Sequence, residues 1–282
     1  MAQPTPPRPP LDAEMLATLT RSWRVEVVES TSSTNADVAA RAMAGEAHGL
    51  VVVAERQTAG RGRLGRVWEA PARAGLTFSA LVRPPVRPER WPWLPLLTGL
   101  AVVRALDSLG VTAVALKWPN DVLLRDSRVA GGIAKAGGIL LERVETRSGP
   151  AAALGIGLNV STTADELPVP TATSLLLAGH AIGRETLLES VLRELRDVYE
   201  RWVAAPDDAA LRDDYVAACA TLGQRVEVSM PDGSSLAGTA VDVDRAGRLV
   251  VEEAGCRVPV GAGDVVHVRG QWSQGASSVP ES

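Results

Sequence analysis

From Arg184 to Ala204, apolar side chains recur at Leu187, Leu188, Val191, Leu192, Leu195, Val198, Tyr199 and Trp202, the spacing of one helix face. This is the clearest helix in the sequence, and Pro206 opens a second one expected to end at Gly223. Residues 94–109 are apolar on all sides and close on Gly110, which predicts a buried helix. STSSTNADVAARAMAG predicts a helix with hydroxyl caps at its start and Gly45 as its stop, and Asp12–Leu19 a short helix near the N-terminus. RVEVVES, LVVVAE (50–55) and LTFSALV (76–82) read as strands, AVALKW (113–118) and DVLL (121–124) as short strands around a Pro-Asn corner. GGILLERV and AAALGIGLNV form a strand pair. Helices and strands alternating in this way predict a mixed α/β domain, without saying whether its sheet is parallel.

After Gly223 the texture changes. QRVEVSM, SSLAGTAVDVD, RLVVEE, CRVPV and DVVHVR are short alternating strands separated by glycine turns, the pattern of a small β-barrel or sandwich. A unit that small is marginal alone and is expected to lean on the larger domain. The first ten residues carry five prolines and predict a disordered tail, as does the C-terminal GQWSQGASSVPES.

Composition narrows the function. A net charge of −4 gives no global field toward nucleic acid or membrane. Two cysteines outside any C-x-x-C pair and three scattered histidines exclude a disulfide scaffold and give a zinc site no support. No secretory h-region opens the chain and no apolar run is long enough to span a bilayer, so a cytoplasmic protein is expected.

Five stretches carry candidate chemistry. In QTAGRGRLGRVW (57–68), Arg61, Arg63 and Arg66 alternate with Gly60, Gly62 and Gly65; glycine lets backbone N–H groups fold inward as an anion nest, and arginine adds forked donors. Trp68 offers a stacking face. The bland alternative is a solvated loop or an RNA-touching RG segment. In KWPND (117–121), Pro119 turns the chain so that Asn120 and Asp121 project together; Asp121 suits magnesium or a ribose, and Lys117 a phosphate. Read alone, that corner is more readily a capped turn with no ligand. RVAGGIAKAGGILLE (128–142) places a cation before a glycine pair twice, at Arg128 and Lys135. STN (33–35) sits at a helix start, where capping alone explains a hydroxyl, and GIGLN (155–159) ends a strand on Asn159.

Taken in this order, S33-T34-N35, Q57-TAGRGRLG-R66, K117-WPN-D121, K135-AGGILL-E142 and G155-IGL-N159 resemble the biotin–protein ligase family, from about Glu29 to the second domain. The resemblance implies an α+β fold, a mixed-sheet catalytic domain of the biotin/lipoate ligase type followed by a small SH3-like β-barrel. Residues 1–22 would be tail and short helix, 23–222 the catalytic domain, 223–270 the barrel and 271–282 a disordered tail. It implies activation of biotin by ATP to biotinyl-5'-AMP, then transfer to a lysine of a biotin carboxyl carrier domain of an acyl-CoA carboxylase, with Mg2+. Ser33, Thr34, Asn35, Gln57, Gly60, Arg61, Gly62, Arg63, Lys135 and Gly138 would bind biotin. Arg63, Arg66, Trp68, Lys117, Asn120, Asp121 and Asn159 would bind the nucleotide, with Asp121 also at the metal. Lys135, Arg61 and Lys117 would be catalytic.

The family's lysine closely follows the KWPND aspartate, whereas here Arg128 comes seven and Lys135 fourteen residues after Asp121. Residue type and the following G-G-I-L-L-E favour Lys135, and inserted loop length is tolerated cheaply. The short, proline-rich stretch before STN leads to the expectation of a monofunctional ligase with no DNA-binding domain and no nucleic-acid partner. The competing readings are a lipoate–protein ligase or octanoyltransferase, and a non-catalytic RG-loop module.

Overall fold

The computed structural model describes residues 6–20, 22–205, 209–230, 233–261 and 263–267. The tail expected at 271–282 and the helix-opening Pro206 lie outside them.

Helix α1 (Ala13–Leu19) is capped by Asp12, whose side chain accepts from Met15 N. Strand β1 (Arg24–Val28), helix α2 (Thr34–Met43) and strand β2 (Leu50–Ala54) form a crossover unit whose two strands run parallel. The Gly/Arg stretch is a small hairpin of β3 (Gly60–Arg61) and β4 (Val67–Trp68). Then come β5 (Gly75–Val82), α3 (Trp93–Ser108), β6 (Val114–Lys117), β7 (Asp121–Arg125), β8 (Ile133–Val144) and β9 (Ala151–Asn159). The seven-stranded sheet runs β1-β2-β5-β9-β8-β7-β6, antiparallel except at β1–β2.

Helix α4 (Arg184–Ala204) packs with α3 on one face of this sheet and α2 covers the other. The period-2 alternation of strand side chains decides what each face receives. From β5 and β9, Leu76, Phe78, Ala80, Leu154 and Ile156 join the α3–α4 core, while Leu81, Ala151 and Ala153 lie under α2 with Val38 and Ala42. Along the α2 face the apolar positions then give way to Ser79 and Thr77 on β5 and to Gly155 and Gly157 on β9. With small and polar residues there, the sheet and α2 cannot close, and a cleft opens.

Helix α5 (Ala209–Ala218) stops five residues short of the expected Gly223. Its continuation is pulled onto the sheet edge instead: Cys219 bridges Leu116 and Ala220 N donates to Leu116 O at 2.8 Å. Strands β10 (Arg225–Ser229), β11 (Ser235–Val243), β12 (Leu249–Glu253), β13 (Cys256–Val260) and β14 (Asp264–His267) form a five-stranded antiparallel sheet, ordered β13-β12-β11-β10-β14. Its buried Val226, Val228, Ala240, Leu249, Val251 and Val265 belong to the same apolar cluster as α3 and α4. Two buried indoles add directional ties, Trp93 Nε1 to Arg245 O at 2.7 Å and Trp118 Nε1 to Gly247 O at 3.1 Å.

The expected N-terminal disorder does not hold from residue 6 onward. Arg8 grips Glu166 (2.9 Å from Nη1) and Ser161 O (2.8 Å), Arg184 donates to Pro9 O at 2.6 Å, and Leu11 N donates to the buried Glu55 carboxylate at 2.5 Å. Proline richness removes backbone donors, but here the carbonyls and the one arginine make the contacts.

Candidate active site

The cleft is lined from four directions. The first wall is the start of α2. Ser33 caps the helix, and Thr34 N, one of the helix's orphan donors, bonds Gln57 Oε1 at 2.8 Å. Thr34 Oγ1 lies 2.7 Å from Ser79 Oγ, Ser79 donates to Asn35 Oδ1 at 2.6 Å, and Asn35 Nδ2 donates to Glu142 Oε2 at 2.7 Å. Ser33, Thr34, Asn35 and Ser79 are buried, Gln57 and Glu142 are half-buried, and the mutual hydrogen bonds make the wall rigid.

The floor is glycine. A Cβ on Gly155 would sit 2.5 Å from Asn35 Oδ1, and one on Gly157 2.6 Å from Trp68 Cε2. The indole of Trp68 thus lies directly on the β9 backbone, and its buried Nε1 has no partner, leaving an unspent donor in the cleft wall.

The opposite wall is the corner between β6 and β7. Asn120 Nδ2 donates to Ile139 O at 3.2 Å and its Oδ1 accepts from Arg63 Nη1 at 3.2 Å. Asp121 Oδ1 accepts from Lys135 Nζ at 2.6 Å. Burial lowers the Lys117 ammonium from its ordinary range, Asp121 and Asp264 partly opposing that shift. Burial likewise lowers Arg63. Beside this wall, Thr221 Oγ1 accepts from Trp118 N at 2.9 Å and lies 3.3 Å from His267 Nε2. Burial first, then Lys117, pushes His267 down to about 4.

The β3–β4 hairpin is the roof. Its tip turns through Leu64 and Gly65, both with positive φ (56° and 73°), and Gly62 N closes onto Arg66 O at 2.7 Å. Arg61 pairs with Glu142 at 3.3 Å, Arg66 with Asp264, and Arg63 Nη2 reaches Gly263 O at 3.4 Å. The second sheet therefore holds the roof by its β14 end.

Of the residues singled out from the sequence, Ser33, Thr34, Asn35, Gln57, Arg61, Gly62, Arg63, Arg66, Trp68, Lys117, Asn120, Asp121, Lys135 and Gly138 line this one cleft. Gly60 and Asn159 do not. Gly60, at the base of the roof hairpin, lies against Trp68 O and Gln57 Nε2, and Asn159 Nδ2 is spent on Thr173 O at 2.9 Å. Arg128 points elsewhere, onto the buried Asp126. Sequence reasoning missed Ser79, Glu142 and Asp264. A hydroxyl inside the apolar run LTFSALV, and an acid ending ILLE, were signals for the first two; Asp264 had none, being joined to the site only by the packing of the second sheet.

The described site invites comparison with known proteins. A profile described as the biotin/lipoate A/B protein ligase family matches residues 26–160, and one described as the biotin protein ligase C terminal domain matches 221–268. The chain is 42% identical over 273 residues to the biotin--[acetyl-CoA-carboxylase] ligase of Mycobacterium tuberculosis, covering 93% of this chain and 97% of that one. The chain belongs to the biotin–protein ligase family. A second biotin--[acetyl-CoA-carboxylase] ligase, from Paracoccus denitrificans, is 33% identical over 83% of this chain and 97% of its own length. Among solved structures, the biotin protein ligase of Aquifex aeolicus in complex with biotin and ATP superposes with a TM-score of 0.73 at 25% identity, covering 88% of this chain and 99% of that one. Both sheets of the biotin–protein ligase fold are thus present, and the cleft lies where they meet.

Proposed function

We propose that this chain is an ATP-dependent biotin–[acetyl-CoA-carboxylase] ligase. The observation that carries the reading is the convergence of Arg61, Arg63, Arg66, Lys117 and Lys135 on one cleft whose inner end is a rigid polar wall over a glycine floor. A reaction that brings two anions together needs such cations to offset their repulsion.

Biotin's carboxylate oxygen attacks the α-phosphorus of ATP; an O–P bond forms and pyrophosphate leaves with the electron pair. The two reactants repel, by about 4 kcal/mol for unit charges 4 Å apart in a surface-like dielectric. Arg61 and Lys135, bridging carboxylate and phosphate, offset that repulsion, and Lys117, Arg63 and Arg66 take the remaining phosphate charge. Ser33, Thr34, Asn35 and Gln57 hold the biotin head group at the α2 wall, with Gly62 and Gly138 giving close backbone approach. Trp68, Asn120 and Asp121 face the nucleotide; Asn159 acts from behind, through Thr173. In the second step the acceptor lysine's amine attacks the acyl carbon; the amide C–N bond forms, AMP leaves, and the amine's proton passes to solvent. The roof keeps water from the mixed anhydride between the steps.

Magnesium would fit this donor set: Asp121 and Asp264 both line the cleft, where one or both carboxylates would hold the ion together with substrate phosphates, whose charge it would offset. The acceptor is the biotin carboxyl carrier domain of an acyl-CoA carboxylase, encountered in the cytoplasm; among the described residues no helix is long and apolar enough to cross a membrane.

Biotin-dependent ATP–pyrophosphate exchange, followed by a mass shift of a carrier domain with biotin, tests the proposal. The matching profile also spans lipoate ligases. A carrier shifted by lipoate or octanoate, and not by biotin, would move the substrate to that branch.

A further inference from the structure

Loop 126–132, between β7 and β8, is organised around a buried carboxylate. Asp126 accepts from Arg128 N and Nε, each at 2.9 Å, from Arg128 Nη2, and from Thr173 Oγ1 at 2.6 Å, while its own N–H closes the loop on Gly132 O at 3.0 Å. Those donors hold the Asp126 carboxyl at about 2, against the opposing pull of burial. Its partner Thr173 is fully buried and outside the cleft lining.

Thr173 belongs to a segment that pairs with β8 at one point only, Lys135. Lys135 N donates to Thr171 O at 3.0 Å and Thr173 N donates to Lys135 O at 2.8 Å. On its other side Lys135 faces Leu123 of β7, just past a register shift at Val122–Leu123. The strand that carries the ammonium is therefore irregular at that residue, and its position depends on segment 171–173. That segment is held from one side by Asp126 and from the other by Asn159 Nδ2 on Thr173 O.

We infer that Thr173, anchored by Asp126, is a positioning residue for Lys135, an inference that rests on the ligase reading above. A buried carboxylate contributes little net stability compared with an apolar replacement. What it supplies is direction: a charge-assisted bond fixes the Thr173 hydroxyl, and through its backbone the height of Lys135 in the cleft. Displacing a reacting group by about 1 Å costs up to roughly a hundredfold in rate.

The test uses the full chain with Thr173→Val, Thr173→Ser and Asp126→Asn, read by biotin-dependent ATP–pyrophosphate exchange and thermal unfolding. Thr173→Val is expected to lower kcat about tenfold or more with KM for biotin unchanged, and Thr173→Ser, which keeps the hydroxyl, to restore it. Should Thr173→Val not fold, Asp126→Asn keeps the shape, weakens the acceptor and is expected to lower kcat in the same sense. Wild-type kcat in the Val variant overturns the inference, as does a loss in the Ser variant equal to that in Val. A wild-type chain without biotin-dependent exchange overturns the ligase reading itself, which separates the two failures.

Discussion

Lys135 and Asp121 meet across the β7–β8 pair, Nζ to Oδ1 at 2.6 Å, with the lysine side chain 38% exposed toward the cleft and the carboxylate 17%. The other cation that precedes a glycine pair, Arg128, is turned onto Asp126. Lys135→Ala is therefore expected to lower biotin adenylation by about two to three orders of magnitude, the cost of losing one preorganised charge donor. Arg128→Ala leaves Thr173 and the Arg128 backbone N–H on Asp126, and a loss of less than about tenfold is expected. Pyrophosphate exchange on the two variants side by side decides; the reverse ranking would put Arg128 in the working position.

The sequence made the local parts of this site legible and left its joints hidden. Helical spacing located α4, and Ser33 could be read as a cap because capping depends on a few neighbouring residues. The glycine–arginine alternation announced the roof for the same reason. The ladder Thr34–Ser79–Asn35–Glu142 joins α2, β5 and β8, and only strand order brings those residues together. Asp264 reaches Arg66 across 198 positions of chain. Asn159 shows the converse: its place at a strand end in a suggestive motif did not reveal that its amide is spent on Thr173. The proline-rich start misled because composition predicts an absence of core, and Arg8 is fixed by polar contacts instead.

The glycine floor predicts a binding defect without a charge change. In Gly157→Ala the new methyl meets the Trp68 ring at 2.6 Å, and in Gly155→Ala it meets Asn35 Oδ1 at 2.5 Å, so indole or amide must move. Overpacking of this kind costs about 1–3 kcal/mol. Because the Asn35 amide belongs to the biotin wall and the Trp68 ring to the nucleotide wall, biotin affinity should fall by roughly tenfold or more in Gly155→Ala and ATP affinity likewise in Gly157→Ala, as titration calorimetry would read them. Unchanged biotin affinity in Gly155→Ala and unchanged ATP affinity in Gly157→Ala would mean that the substrates do not use this floor.

Acid stability should depend on the N-terminal arm. Arg8 first of all, then backbone and side-chain donation from Thr163, holds the Glu166 carboxyl at about 2, below its ordinary 4.5. A depressed carboxyl favours the folded state above 4.5 and loses that contribution as pH falls from 4.5 toward 2. Arg8→Ala is expected to lower unfolding free energy by about 1 kcal/mol at pH 7 and by progressively less below 4.5. Denaturant melts of both proteins at several pH values give the comparison; a constant difference across the range would show that the arm contributes by packing.

The roof makes the last prediction. Arg66 and Asp264 pair where the arginine is exposed and the carboxylate half-buried, at 59% and 32%, so the pair adds little to stability, about 0–1 kcal/mol. It is nonetheless a side-chain tie between the roof hairpin and the second sheet, beside the weaker reach of Arg63 to Gly263 O. Asp264→Ala should therefore leave the melting temperature nearly unchanged while loosening the cover over the adenylate. Without acceptor, wild type should retain biotinyl-adenylate, and the variant should release or hydrolyse more of it, seen as faster AMP formation per biotin consumed. Raising salt toward 1 M should move wild type toward the variant, because an exposed pair is screened at that ionic strength. Asp264 also lines the cleft itself, so a magnesium titration separates two effects. Faster AMP formation at an unchanged magnesium requirement identifies the tie to the roof, whereas a raised requirement identifies a role at the metal.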